Sequence, residues 1–145
     1  VEKGDLIFVY GTLRQGERMD IRRQNLTSTG VSFLSRDKVN GKMYLVGTYP
    51  GVKAEQSRYR DNEPSIIGEV YRIMSPAVVA ILDAYEGYQA DTPKLGLYDR
   101  IQTQSQRGRT VWLYTYNPPV FNEQWIESGD WCRNRETYIH GRQMI

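Results

Sequence analysis

Short apolar runs broken by glycine, proline and asparagine dominate the chain, the pattern of strands joined by turns. Ile7, Phe8, Val9 and Tyr10 run without interruption into Gly11, which predicts a buried strand that stops abruptly and turns. Residues 17–26 carry Met19, Ile21 and Leu26 among arginines, the spacing of a short, weakly amphipathic helix with Arg18, Arg22 and Arg23 on its solvated face. After Gly30, Val31, Phe33 and Val39 alternate imperfectly with polar residues, Asn40-Gly41 gives a strong turn signal, and residues 43–46 resume an apolar run. Two antiparallel strands are expected there. Residues 47–52, Gly-Thr-Tyr-Pro-Gly-Val, predict an ordered turn or loop. Residues 53–64 are polar and without period, as expected of a mobile surface loop.

Residues 66–74 read as a further strand, with Ile67, Val70 and Ile73 among its apolar positions. The clearest helix follows: Ser75 as N-cap, Pro76 at the first helical position, an apolar face of Val78, Val79, Ile81, Leu82 and Tyr85, and Gly87 as terminator. Residues 98–104 and 110–116 form a hairpin around the polar turn 105–109. In its second arm Trp112, Tyr114 and Tyr116 share one face and Val111 and Leu113 the other, so the strand is expected to be central or to line a pocket. Asn117-Pro118-Pro119 ends it, and the remainder reads as a short helix or arm. There is no internal repeat, low-complexity tract or linker, and 145 residues suit one domain, 1–145.

Composition narrows the chemistry. With 39% hydrophobic and 25% charged residues, the chain has a globular make-up, and no apolar run is long enough for a membrane-spanning helix. Residues 1–5 do not resemble a secretory signal, and a chain beginning with Val1 is consistent with a trimmed N-terminus. The lone Cys132 allows no internal disulfide, so a reducing, cytoplasmic setting is expected. Asn25-Leu26-Thr27 fits the glycosylation pattern but has no secretory context. A net charge of +2 does not call for a nucleic-acid partner. His140 is the only histidine and sits near the C-terminus, so a Ser/His/Asp or Cys/His machine and a His/Cys metal site both lack parts. If the protein is an enzyme, a carboxylate, tyrosine or lysine moves the proton, without metal or cofactor.

Two places carry candidate chemistry. Gly11 leaves neighbouring N–H groups unscreened, and Thr12 and Arg14 add side-chain donors, so the turn could cradle a carbonyl or carboxylate oxygen; an ordinary strand end is the competing reading. Glu86 lies at the C-terminal end of the Ser75 helix, where the helix dipole disfavours a negative charge by roughly 0.3–1 kcal/mol. A base active near neutrality would need partial burial as well, and Asp83 is a competing carboxylate one turn away. The glycine spacing from Gly11 to Gly16 is not a P-loop, since Glu17 and Arg18 follow it.

In order, FVYGTLRQG (8–16), GTYPGV (47–52), GEVYRI (68–73), LDAYEGY (82–88), LYDR (97–100) and WLYTYN (112–117) resemble the γ-glutamylcyclotransferase-like family, which includes AIG2-like proteins and γ-glutamylamine cyclotransferases. The resemblance covers residues 6–131, and the YGTL and LDxxEG pair is its most specific part. It implies an α+β fold around a small mixed β-barrel with few flanking helices, and a pocket between the first strand's loop and the helix end. Glu86 matches the family's catalytic acid/base, and Tyr10, Gly11, Thr12 and Leu13 its substrate-binding loop. Tyr114 and Tyr116 face the same way on the hairpin strand; Tyr116 is the substrate-binding candidate, with core packing the competing role. Residues 53–64 and the tail after Trp131 have no counterpart in the resemblance.

The implied reaction is attack of a γ-glutamyl amide's own α-amino group on its γ-carbonyl, closing 5-oxoproline and releasing an amine or amino acid. The nucleophile is intramolecular, so the task is to hold the reactive conformer. Three alternatives stand beside it: a γ-glutamylamine-specific or biosynthetic γ-glutamyl-removing enzyme, a silent member that binds a γ-glutamyl ligand, and a β-barrel binding single-stranded nucleic acid through its eleven tyrosines.

Overall fold

The computed structural model describes residues 1–11, 14, 30–86 and 96–131, with the backbone alone at Tyr85 and Glu86. The helix expected at 17–26, the terminator Gly87 and the tail from Cys132 through His140 lie outside the described residues. The fold is α+β. Its larger sheet holds β1 (Leu6–Val9), β2 (Val31–Asn40), β5 (Ser65–Ile73), β6 (Tyr98–Gln104) and β7 (Thr110–Tyr116), in the order β2-β5-β1-β7-β6. Every junction is antiparallel except β1 with β7, where Ile7 sits opposite Trp112 in parallel. The uninterrupted apolar run at 7–10 is explained by this position, because β1 is covered on both faces: Phe8 and Tyr10 point into one core and Ile7 and Val9 into the other.

A smaller sheet, β4-β3-β8, packs over one face and comprises β3 (Lys42–Val46), β4 (Tyr49–Lys53) and β8 (Trp125–Ile126). Its contacts correct two expectations. Residues 31–39 and 43–46 are strands, but they do not pair with each other: β2 pairs with β5 and β3 with β4. Asn40-Gly41 is thus a crossing from one sheet to the other, made possible at Gly41 by a φ of 152° and by a lack of space for a Cβ, which would come within 2.9 Å of Ala54, Ile66 and Lys53 atoms. Residues 49–52 are strand, and the turn before them is only Gly47-Thr48, with Val46 opposite Tyr49. β4 is an edge strand, so the missing N–H of Pro50 costs no ladder bond.

The barrel expected from the resemblance is not closed among the described residues. β2 and β6 remain the two edges of the larger sheet, and no ladder joins them. The sheet curls enough for the β6–β7 turn to reach β2, where Gln106 N donates to Lys38 O at 2.8 Å and Arg107 N to Asp37 Oδ1 at 3.2 Å. Residues 53–64 occupy the rest of the gap. Gln104 N of β6 donates to Ser57 O at 3.0 Å, while on the β2 side the Asn40 side chain donates to Arg60 O at 2.9 Å and accepts from Arg60 N at 2.7 Å. The segment expected to be a mobile loop is therefore laced to both edges and stands in for the missing strand pairing.

The α-helix α1 (Ala77–Glu86) lies on the other face of the sheet. The helix begins at Ala77, one residue after the expected Pro76; Val78 N donates to Ser75 O and Val79 N to Pro76 O, and Val78 and Leu82 are fully buried. No described helix is long and apolar enough to cross a membrane.

Candidate active site

β1 delivers the first candidates. Tyr10, buried, donates its hydroxyl to Tyr114 O at 2.6 Å, fixing the end of β1 to the neighbouring β7. Gly11 then passes Pro50 so closely that a Cβ would stand 2.7 Å from the Pro50 Cγ. A pyrrolidine ring cannot swing aside as a long side chain could, so glycine is required by close approach. Gly11 O accepts from Arg14 N at 3.0 Å. Thr12 and Leu13 themselves lie outside the described residues.

Arg14, a side-chain donor in the loop pattern, is directed at carboxylates of the protein itself. Its side chain is 5% exposed, bonds Asp130 Oδ1 at 2.8 Å and lies 3.6 Å from Glu69 Oε2. Tyr71 OH donates to Glu69 Oε1 at 3.0 Å. The guanidinium ties Arg14 to β5 and to the 128–131 segment.

Pro50 is held from its other side by Tyr98, whose hydroxyl donates to Pro50 O at 2.8 Å. Next to it Gly51 faces Tyr116 so tightly that a Cβ would lie 2.9 Å from the ring. Tyr98 and Tyr116 meet edge to face, centroids 5.4 Å apart. Gly11, Pro50, Gly51, Tyr116 and Tyr98 thus form one continuous wall. Burial, and then the neighbouring Tyr49, push the Tyr116 phenol above its ordinary value of 10.0. The Lys53 ammonium caps the end of β7, donating to Tyr116 O at 2.5 Å, Pro118 O at 2.7 Å and Asn117 O at 3.1 Å. A cleft of about 560 Å³ opens here, lined by Lys53, Ala54, Glu55, Thr115, Tyr116 and Asn117.

The helix end supplies the remaining candidates. Asp83 is not an isolated carboxylate: Oδ1 accepts from Tyr114 OH at 2.6 Å and from Arg100 Nη1 at 2.6 Å, and Oδ2 from the same nitrogen at 2.8 Å. Glu86 is the last residue of α1, three positions beyond Asp83, and its side chain lies outside the described residues. Tyr114 therefore touches both halves of the candidate site, accepting Tyr10 through its carbonyl and donating to Asp83 through its phenol. Among the described residues, no group of three or more His, Cys, Asp or Glu is placed to hold a metal ion.

A family profile described as "Gamma-glutamyl cyclotransferase, AIG2-like" matches residues 7–133. The chain belongs to this family. It is 34% identical over 125 residues to the "Gamma-glutamylcyclotransferase family protein YtfP" of Escherichia coli K12, covering 86% of this chain and 94% of that one. It is 30% identical over 140 residues to the "Gamma-L-glutamyl-butirosin B gamma-glutamyl cyclotransferase" of Niallia circulans, covering 93% and 80%. The solution structure of the Escherichia coli ytfP protein superposes with a TM-score of 0.60 at 30% identity, covering 90% of this chain and 98% of that one. Family membership makes the chain a γ-glutamylcyclotransferase-type protein, a family that implies a small-molecule γ-glutamyl substrate.

Sequence reasoning did not assign Pro50, Tyr98 or Arg100 a part in this region. The hairpin register held the signal for Arg100: it sits directly opposite Tyr114, so both side chains must leave the same face of the sheet. Pro50 and Tyr98 are joined by a contact across 48 positions, which no local pattern encodes.

Proposed function

We propose that this protein cyclises a γ-glutamyl amide to 5-oxoproline, releasing an amine or amino acid. In this reading the α-amino nitrogen, after losing a proton to Glu86, attacks the γ-carbonyl and forms the ring C–N bond. The γ-amide C–N bond then breaks, and Glu86 returns the proton to the leaving nitrogen. Backbone N–H groups in the turn from Tyr10 to Leu13 hold the substrate's carboxylate or developing oxyanion, each oxyanion donor contributing roughly 10²–10³ in rate. Tyr116, a neutral phenol beside Gly51, contributes to the substrate-facing wall. A cytoplasmic location is part of the same reading.

The observation that carries this proposal is the bridge through Tyr114, which links the start of the Gly11 turn to the helix end within two hydrogen bonds of 2.6 Å. Arg100 and Tyr114 already occupy Asp83, so the acid/base role falls to Glu86. The test is 5-oxoproline formation from a panel of γ-glutamyl amino acids and γ-glutamylamines. Glu86→Gln is expected to lower kcat by about 10²–10⁴-fold without loss of fold. A folded Glu86→Gln protein with near wild-type turnover overturns the assignment.

A further inference from the structure

We propose that Asp83 is a positioning residue: gripped by Arg100 and Tyr114, it fixes the end of α1 that carries Glu86 against the strand that carries Tyr116. The proposal rests on the reading of Glu86 as acid/base. Val78 and Leu82 are the fully buried side chains of α1 whose surroundings are described, and apolar burial resists separation more than rotation or sliding. Directional bonds supply what burial lacks. Asp83 receives a phenol on one oxygen and an Arg100 nitrogen on both, from two residues that stand directly opposite each other in the β6–β7 ladder.

Both donors are themselves fixed. The Arg100 guanidinium lies 5.6 Å from the centroid of the Trp112 ring, whose indole N–H donates to Asp5 Oδ2 at 3.3 Å. Tyr114 is buried, with its carbonyl bound by Tyr10. The side chains of Arg100 and Asp83 are 13% and 21% exposed, sheltered enough to hold a geometry that an open surface pair would not. Glu86 follows three positions later, about 4.5 Å further along the helix axis and most of a turn round. A shift or twist of α1 about this grip would move Glu86 relative to the Gly11 turn, and a misplacement of about 1 Å can cost on the order of 10² in rate.

The experiment uses the full chain with Asp83→Asn and Tyr114→Phe, the second retaining the buried ring. Amide exchange at positions 83–86 and steady-state kinetics are measured on both. Exchange at those amides is expected to quicken by about tenfold or more relative to 78–79, because the last turn opens locally. With the best γ-glutamyl substrate, kcat is expected to fall by about 10–100-fold while KM stays within about threefold. Unchanged exchange in either folded variant overturns the proposal, whether or not kcat falls. Faster exchange with unchanged kcat overturns the link from the grip to Glu86. A wild-type protein that forms no 5-oxoproline defeats the proposed function instead, and the exchange measurement alone then decides whether Asp83 holds the helix end.

Discussion

The two faces of the larger sheet are built from different chemistry. On the face covered by the smaller sheet, Val39, Met43, Val52, Ile66, Val70, Val111 and Leu113 are all fully buried and bring no hydrogen-bonding side chain, Tyr10 and Trp131 being the polar-tipped exceptions in that core. On the face covered by α1, the core includes Tyr71, Tyr98 and Tyr114, with Tyr49 and Tyr116 packed against it. The first three tyrosines send their hydroxyls to Glu69, Pro50 and Asp83. The aliphatic face supplies non-directional burial, and the tyrosine face supplies burial together with bonds that define where groups stand. The candidate site draws Tyr10 from the first and Tyr114 and Tyr116 from the second.

Exchanging stability for position between the faces is the way to break this contrast. Leu113→Ala on the aliphatic face removes a wholly buried side chain and is expected to cost about 2–5 kcal/mol in chemical denaturation, while turnover per folded molecule changes little. A comparable loss of turnover in the folded fraction would erase the distinction. Tyr98→Phe on the other face removes one hydroxyl and leaves Pro50 O without that donor, an expected cost of about 1–3 kcal/mol. It should also raise KM, because Pro50 backs the Gly11 turn. An unchanged KM would show that this wall does not reach the substrate.

The smallest effect concerns pH. The Tyr116 phenol is raised in the folded state above 10.0, by burial first and by Tyr49 second. Well below pH 10 the phenol is protonated whether the chain is folded or not. As pH rises past 10.0 the unfolded phenol ionises first, so stability falls on the way up through the folded value. Tyr116→Phe is expected to flatten part of this alkaline loss, read as the difference in urea midpoints between pH 9 and pH 11 in the two proteins.

What the sequence disclosed follows the range of the interactions involved. The β6–β7 hairpin could be placed to the residue, because alternation and a polar turn lie within one short segment. The start of α1 was equally local, set by Ser75 and Pro76. The partner of β2 was not, because its bonds go to β5, across a segment that includes two strands of the other sheet. Residues 49–52 looked like a loop because Pro50 and Gly51 are poor strand formers, yet an edge position tolerates the proline and the Tyr116 ring requires the glycine. At the candidate site, Tyr10, Gly11 and Tyr116 are brought into one connected region, although the structural role of Tyr10's hydroxyl and the anchoring by Arg14 depend on partners more than fifty positions away.

The polar segment 53–64 also bears on how the molecule behaves in company. An open sheet offers rows of unpaired N–H and C=O groups on which another copy can add a strand. Where the two edges of this sheet draw together, Ser57 O takes the Gln104 N–H and the 105–109 turn takes the Lys38 carbonyl, backbone groups that such a visitor would need. The charged, aperiodic stretch works there as a hem, finishing the border of a sheet that does not join itself and denying a stranger the same stitch.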